Sequence, residues 1–153
     1  MNRVRNNSNY RKNGFTMIEI IAVLLIIGIL AVVVAVRMMD TGQADLSSQR
    51  DVIKNHLRYA QSRAMSTDSS WGVSFPTSKT YFLFRADAPS TPVLFPGEDS
   101  TTVNLTTKKS SLTITSAPQT VTFDDRGSPG TTSITVATNG GNIVVTKNTG
   151  FIE

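Results

Sequence analysis

The sequence predicts an α+β fold: one long N-terminal α-helix, transmembrane in its first half, packed through its second half on an antiparallel β-sheet or β-sandwich. Three observations predict it. Residues 15–36 carry no charge apart from Glu19 and are overwhelmingly apolar. Leu46, Ile53, Leu57, Ala60 and Ala64 then recur at helical spacing. From Trp71 onward, short β-rich runs alternate with turn residues.

The chain opens with a basic leader. Arg3, Arg5, Arg11 and Lys12 fall within residues 1–14, which contain no acid. The formal charge of the whole chain is +4, yet without those four residues eleven basic side chains face eleven acidic ones. The high pI therefore belongs to the leader, and the charge balance does not indicate a nucleic-acid-binding body. There is no cysteine, which excludes disulfides, thiolate metal sites and a cysteine nucleophile. An exported domain of this composition is held by its core alone.

The apolar run follows. As a helix, residues 15–36 rise about 33 Å, close to the roughly 30 Å hydrocarbon core of a bilayer. Basic residues precede the run, so the positive-inside rule leaves residues 1–14 in the cytoplasm and the body outside it. Glu19 is the anomaly, because an ionised carboxylate in hydrocarbon costs on the order of 3 kcal/mol. Three readings compete. In a plain anchor, Glu19 sits near the headgroups. In a secretory signal, Val33-Val34-Ala35 serves as the cleavage site, but the apolar stretch is long for one and contains an acid. In a processed filament subunit, cleavage between Gly14 and Phe15 leaves an α-amine at the start of a helix with Glu19 one turn in. The carboxylate then gains from the helix dipole and pairs with the α-amine of a neighbouring subunit. Breaking such a buried pair costs about 3–5 kcal/mol, so the pair sets axial register between helices.

Helical periodicity continues past Arg37. The stripe of Leu46, Ile53, Leu57, Ala60 and Ala64 has Arg50, Lys54, Asn55, Arg58 and Gln61 facing elsewhere. Asp40-Thr41-Gly42 interrupts it, and Gly42 either ends one helix or softens a long one. The expectation is one helix from Phe15 to about Ser66. Strands are expected at 71–75, 80–85, 92–95, 101–105, 111–116, 120–124, 133–137 and 142–147, separated by Pro, Gly, Asn and Asp breaks. Asn139-Gly140, between Ile134-Thr-Val136 and Ile143-Val-Val145, reads as a hairpin. Leu112-Thr-Ile114 and Val121-Thr-Phe123 alternate, which predicts one buried face and one threonine-rich face. The sheet's apolar face covers the helix stripe.

These residues resemble a known family. Gly14-Phe15-Thr16-Met17-Ile18-Glu19, with basic residues before and an apolar run after, resembles the class III leader of type IV pilins and type II secretion pseudopilins. Gly28 matches a recurrent glycine of their helices, while Val36 stands where many members have proline. Tyr59-Ala-Gln-Ser-Arg-Ala-Met65, Trp71-Gly-Val-Ser-Phe75, Phe123-Asp-Asp-Arg-Gly-Ser-Pro129 and the closing Thr149-Gly-Phe-Ile are similar to minor pilins of the GspH/FimT kind. The segment from His56 to Met65 also resembles MSHA-type minor pilins. The resemblance implies a type IV pilin-like fold and four parts: a cleaved leader (1–14), a transmembrane and filament-core helix (15–39), an amphipathic periplasmic helix (40–66) and a β-rich globular domain (67–153). It implies cleavage after Gly14 by a prepilin peptidase, N-methylation of Phe15 and a guiding role for Glu19 in filament assembly. The implied partners are other pilins or pseudopilins, the peptidase and an inner-membrane assembly platform. The missing C-terminal disulfide loop favours a minor pilin or pseudopilin over a major pilin.

Enzymatic chemistry is not indicated, and no cofactor or metal is expected. His56, the single histidine, has no signature supplying a nucleophile and an orienting acid. Asp124-Asp125 lack EF-hand spacing and read as turn residues rather than calcium ligands. No P-loop occurs. The second functional reading is a pilus-displayed DNA- or ligand-binding receptor, with Lys108, Lys109, Arg126 and Lys147 as phosphate contacts. Such a surface needs clustered basic residues, which these positions do not form in sequence. Trp71, Phe75, Tyr81, Phe82 and Phe84 read as core rather than as a stacking platform.

Overall fold

The computed structural model describes residues 14–108 and 110–153, with helix side chains described up to 32, at 34 and from 42 onward. Arg3, Arg5, Arg11, Lys12 and Lys109, and the side chains of Val36 and Arg37, lie outside the described residues.

One helix, α1, runs Met17–Thr67. Thr16 caps it: the Glu19 N–H reaches the Thr16 carbonyl at 3.1 Å and its hydroxyl at 3.3 Å. The hydroxyl thereby satisfies one of the amides that a helix start leaves without a partner. Gly42 lies inside α1 rather than ending it. At the other end the Thr67 hydroxyl donates to the Arg63 carbonyl at 2.7 Å. Asp68 then turns left-handed (φ 47°), as helix stops commonly do.

The described residues divide into two compact units, one ending at Met39 and the other running Asp40–Glu153. Within the second, four strands pair antiparallel in the order β3-β2-β1-β4: β1 (Trp71–Thr77), β2 (Thr80–Arg85), β3 (Thr102–Asn104) and β4 (Gln119–Phe123). A second, two-stranded sheet pairs β5 (Ile134–Val136) with β6 (Ile143–Val145). Period-two alternation puts Trp71, Val73 and Phe75 of β1, and Val121 and Phe123 of β4, on the buried face. In β2 the buried face carries Tyr81 and Leu83. These side chains form one core with Ile53, Leu57, Ala60 and Ala64 of α1, all fully buried, and Leu46 packs at its edge. The helix stripe predicted from spacing is thus the helix side of the core. Its two alanines let the helix backbone come close to the sheet. The opposite face of β1 is covered at Gly72, where a Cβ would lie 2.7 Å from both the Phe84 ring and the Val121 carbonyl.

Several boundaries differ from expectation. The run 92–95 contributes only the bridge Val93–Leu83, because Pro92 lacks a donor and Pro96-Gly97 turns the chain away. The run 111–116 contributes only the bridge Ile114–Thr138. There the Thr113 N–H is taken by the Asn139 side chain at 2.8 Å, which stands in for a strand. β1 continues through Pro76, with a register irregularity between Ser74 and Thr77 that accommodates the missing N–H. The hairpin centred on Asn139-Gly140 forms, closed by the Gly141 N–H to the Thr138 carbonyl at 3.2 Å. Its left-handed residue is Gly141, at φ 109°.

Candidate functional site

The N-terminal unit presents an unusual surface. Gly14 and Phe15 precede the helix, and Phe15 is 79% exposed. Glu19 occupies the first turn with its side chain exposed. Among the described residues it has no ion-pair partner. Thr16-Met17-Ile18-Glu19 also spells the Ser/Thr-x-x-Glu sequence of a capping box, with the Thr16 half of that motif formed. Thr16 therefore belongs to the site although sequence reading passed over it; the spacing of Thr16 to Glu19 was the available signal.

Beyond Glu19 the helix is apolar all round. Successive residues turn by about 100°, so Leu24, Leu25, Ile26 and Ile27 together cover its circumference. All four remain more than half exposed. A helix apolar on every side is stable only when surrounded by lipid or by other apolar helices. Among the described residues no helix is long and apolar enough to cross a membrane. The part of the helix whose side chains are described without a break, 17–32, rises about 24 Å against roughly 30 Å of hydrocarbon.

In the body, side chains flanking the helix stripe tie loops to α1. Gln61 Nε2 donates to the Gly127 carbonyl at 2.8 Å and to the Gly150 carbonyl at 2.9 Å. Arg58 donates to the Ile152 carbonyl at 3.2 Å and Arg50 to the Gly140 carbonyl at 3.2 Å. Gly140 approaches closely, since a Cβ there would stand 3.1 Å from the Leu46 carbonyl. Sequence periodicity placed Arg50, Arg58 and Gln61 off the stripe but could not show what they hold.

His56 is buried beside the stripe. Its ring stacks on Phe95, with centroids 4.1 Å apart and planes inclined by 13°. Nδ1 lies 3.0 Å from the Tyr81 hydroxyl. Nε2 lies 3.9 Å from Glu98 Oε1, too far for a hydrogen bond, while Glu98 Oε2 is 2.6 Å from Lys108 Nζ. Burial holds the imidazole pKa below its ordinary value, against the pull of Glu98 and with the help of Lys108. The ring is thus neutral at pH 7, and the ionic partner of Glu98 is Lys108. Burial, then Glu98, raise the Tyr81 hydroxyl well above its usual range.

The remaining sequence candidates have structural occupations. Asp124 Oδ1 accepts from the N–H groups of Arg126 at 3.0 Å and Ser128 at 2.7 Å, shaping its own turn. Among the described residues no cluster of three His, Cys, Asp or Glu could hold a metal ion. Of the proposed phosphate contacts, Lys108 is engaged by Glu98. Trp71 is a core residue whose Nε1 donates to the Thr67 hydroxyl at 2.8 Å, with the Arg63 guanidinium 4.8 Å from its ring. Phe75, Tyr81 and Phe84 are buried and Phe82 half-buried.

Comparison with protein families gives two matches. The prokaryotic N-terminal methylation motif matches residues 9–35, the stretch holding Gly14, Phe15 and Glu19. The family described as type II transport protein GspH matches residues 50–150, about two thirds of the chain. The chain belongs to the GspH family. It is a type IV pilin- or pseudopilin-like subunit, of a family of structural subunits anchored in the membrane by an N-terminal helix. No curated protein and no solved structure matches the chain. The GspH match begins at Arg50, so it covers the amphipathic end of α1 together with the sheet that buries it.

Proposed function

We propose that this GspH-family chain is a minor pilin or pseudopilin. It is made as an inner-membrane precursor with residues 1–14 in the cytoplasm and the body in the periplasm. A prepilin peptidase cuts after Gly14 and methylates the new amine of Phe15. The subunit is then drawn from the bilayer into a filament by an inner-membrane assembly platform. One observation carries this reading: the methylation motif ends in a helix whose first turn holds one carboxylate and whose following turns are apolar on every side.

The chemistry follows from that arrangement. In the bilayer, lipid covers the side chains of residues 20–32. In a filament, neighbouring helices cover them instead, so the transfer costs little apolar burial. Glu19 decides the geometry. Within its own chain it gains from the positive end of the helix dipole. Between chains it finds the Phe15 amine of an adjacent subunit, and an offset that misaligns the two leaves a buried charge unpaired. Thr16 fixes the helix start between these groups. The body, with its core closed inside one chain, is displayed at the surface.

Mass spectrometry of the protein from its native membrane tests the processing step. The expected product begins at Phe15 and carries one methyl group on its α-amine. An intact leader, or a mature start near Val36, contradicts the reading. The DNA-receptor alternative has a separate test, a mobility shift with the full-length protein in detergent at two salt concentrations. The subunit reading expects no retardation at low salt; salt-sensitive retardation would favour the receptor.

A further inference from the structure

His56, Tyr81, Glu98 and Lys108 come from four segments: α1, β2, the loop before β3 and the turn after it. The filament proposal uses none of them. The Glu98 side chain is only 8% exposed, yet it faces two groups able to carry positive charge. Lys108 contacts Oε2, while the imidazole faces Oε1 across 3.9 Å. Lys108 is 42% exposed, so it can leave for water at little cost, whereas His56 cannot. Glu98 and Lys108 also line a cleft of about 570 Å³ together with Thr102 and Asn104.

We propose that these four residues form an acid-operated latch: protonation of His56 draws the Glu98 carboxylate toward the imidazole and weakens its hold on Lys108 and the turn that carries it. With the ring neutral, the carboxylate on the Nε2 side favours a proton on Nε2. The Tyr81 hydroxyl then donates to Nδ1. A second proton on Nδ1 reverses that bond, so Tyr81 must accept. The new positive charge is buried against Phe95 and has one anion within reach, Glu98. Closing the 3.9 Å gap makes a charge-assisted hydrogen bond. Lys108 then shares the carboxylate with a second cation, and the hold on that wall of the cleft weakens. Among the described residues, the charged and titratable groups around the ring are Tyr81 from β2, Glu98 from the loop and Lys108 from the turn, with Tyr59 one turn along α1 against Phe95. Glu98 favours the protonated ring; burial and Lys108 oppose it. The latch therefore opens below the ordinary histidine range.

The test is an NMR titration of the full-length protein in detergent micelles from pH 8 to pH 4. It follows the His56 ring and the amides of Glu98 and Lys108. The ring should titrate below 6.5, and both amides should shift with the same midpoint. Glu98→Gln should lower that midpoint and Lys108→Gln should raise it. In His56→Gln the two amides should no longer move over that interval. A His56 midpoint at or above 6.5, amides that do not follow the ring, or a midpoint indifferent to both Glu98→Gln and Lys108→Gln overturns the latch. The Glu98→Gln and Lys108→Gln titrations keep the test decisive if His56→Gln does not fold.

Discussion

Leu25 and Leu57 are the same residue on the same helix, yet Leu25 is 61% exposed and Leu57 is fully buried. The difference lies in how the sequence around each is written. Around Leu57 the apolar residues form a narrow stripe, and sheet side chains from 71–123 complete it within one chain. Around Leu25 the apolar residues go all the way round, and Leu24, Leu25, Ile26 and Ile27 all stay more than half exposed. One half of α1 is a folding element whose partner is covalently attached. The other half needs partners from outside, lipid or other subunits.

That contrast can be broken at several points. The largest effect is expected at the processing site. Gly14→Val should abolish maturation, so that the full-length mass persists in membranes while the body stays folded. Accumulation of normally sized mature protein would contradict the assigned cleavage point. Next comes the paired substitution Phe75→Ala and Leu25→Ala. Phe75 is fully buried, and truncating it should cost about 3–5 kcal/mol of body stability, read from urea unfolding in detergent. Leu25→Ala should leave that midpoint unchanged, and a comparable loss in both would erase the distinction between the halves. A smaller effect belongs to Gln61→Ala, which removes the donor to two loop carbonyls and should cost about 1–3 kcal/mol.

The smallest effect is a pH dependence. The folded state lowers the His56 pKa, so below about 6.5 the unfolded chain binds more protons than the folded one. Body stability should therefore fall as pH drops from about 6.5, and part of that slope should vanish in His56→Gln. Tyr81 acts at the other end. Its raised pKa makes stability decline once pH exceeds its ordinary value of 10.0. Unfolding midpoints measured at pH 5, 7.5 and 10.5 in both proteins check both signs.

What the sequence made legible was whatever depends on local period. The stripe from Leu46 to Ala64, the strand runs at 71–75 and 80–85 and the Asn139-Gly140 turn all carry their signal within a few residues. The carboxylate in the apolar run was equally plain, because Glu19 has no charged neighbour from residue 15 to residue 36. The capping role of Thr16 was also local and could have been read from its spacing to Glu19. What escaped reading depends on distant segments meeting. Gln61 gives no hint that its amide bridges Gly127 and Gly150, more than sixty residues away. His56 looks like one more polar helix residue until Tyr81, Phe95 and Glu98 are brought to it. The runs 92–95 and 111–116 looked like strands by composition, but Pro92 and the Asn139 side chain remove the bonds a ladder needs.

In the proposed filament, Glu19 acts between subunits rather than within one. Its most direct test is the Glu19→Leu protein, scored for membrane insertion, leader removal, body unfolding and abundance in sheared filaments. The first three should match the wild type, and the filament fraction should be strongly depleted. Wild-type abundance of Glu19→Leu in those filaments would contradict the pairing of Glu19 with a neighbouring Phe15 amine.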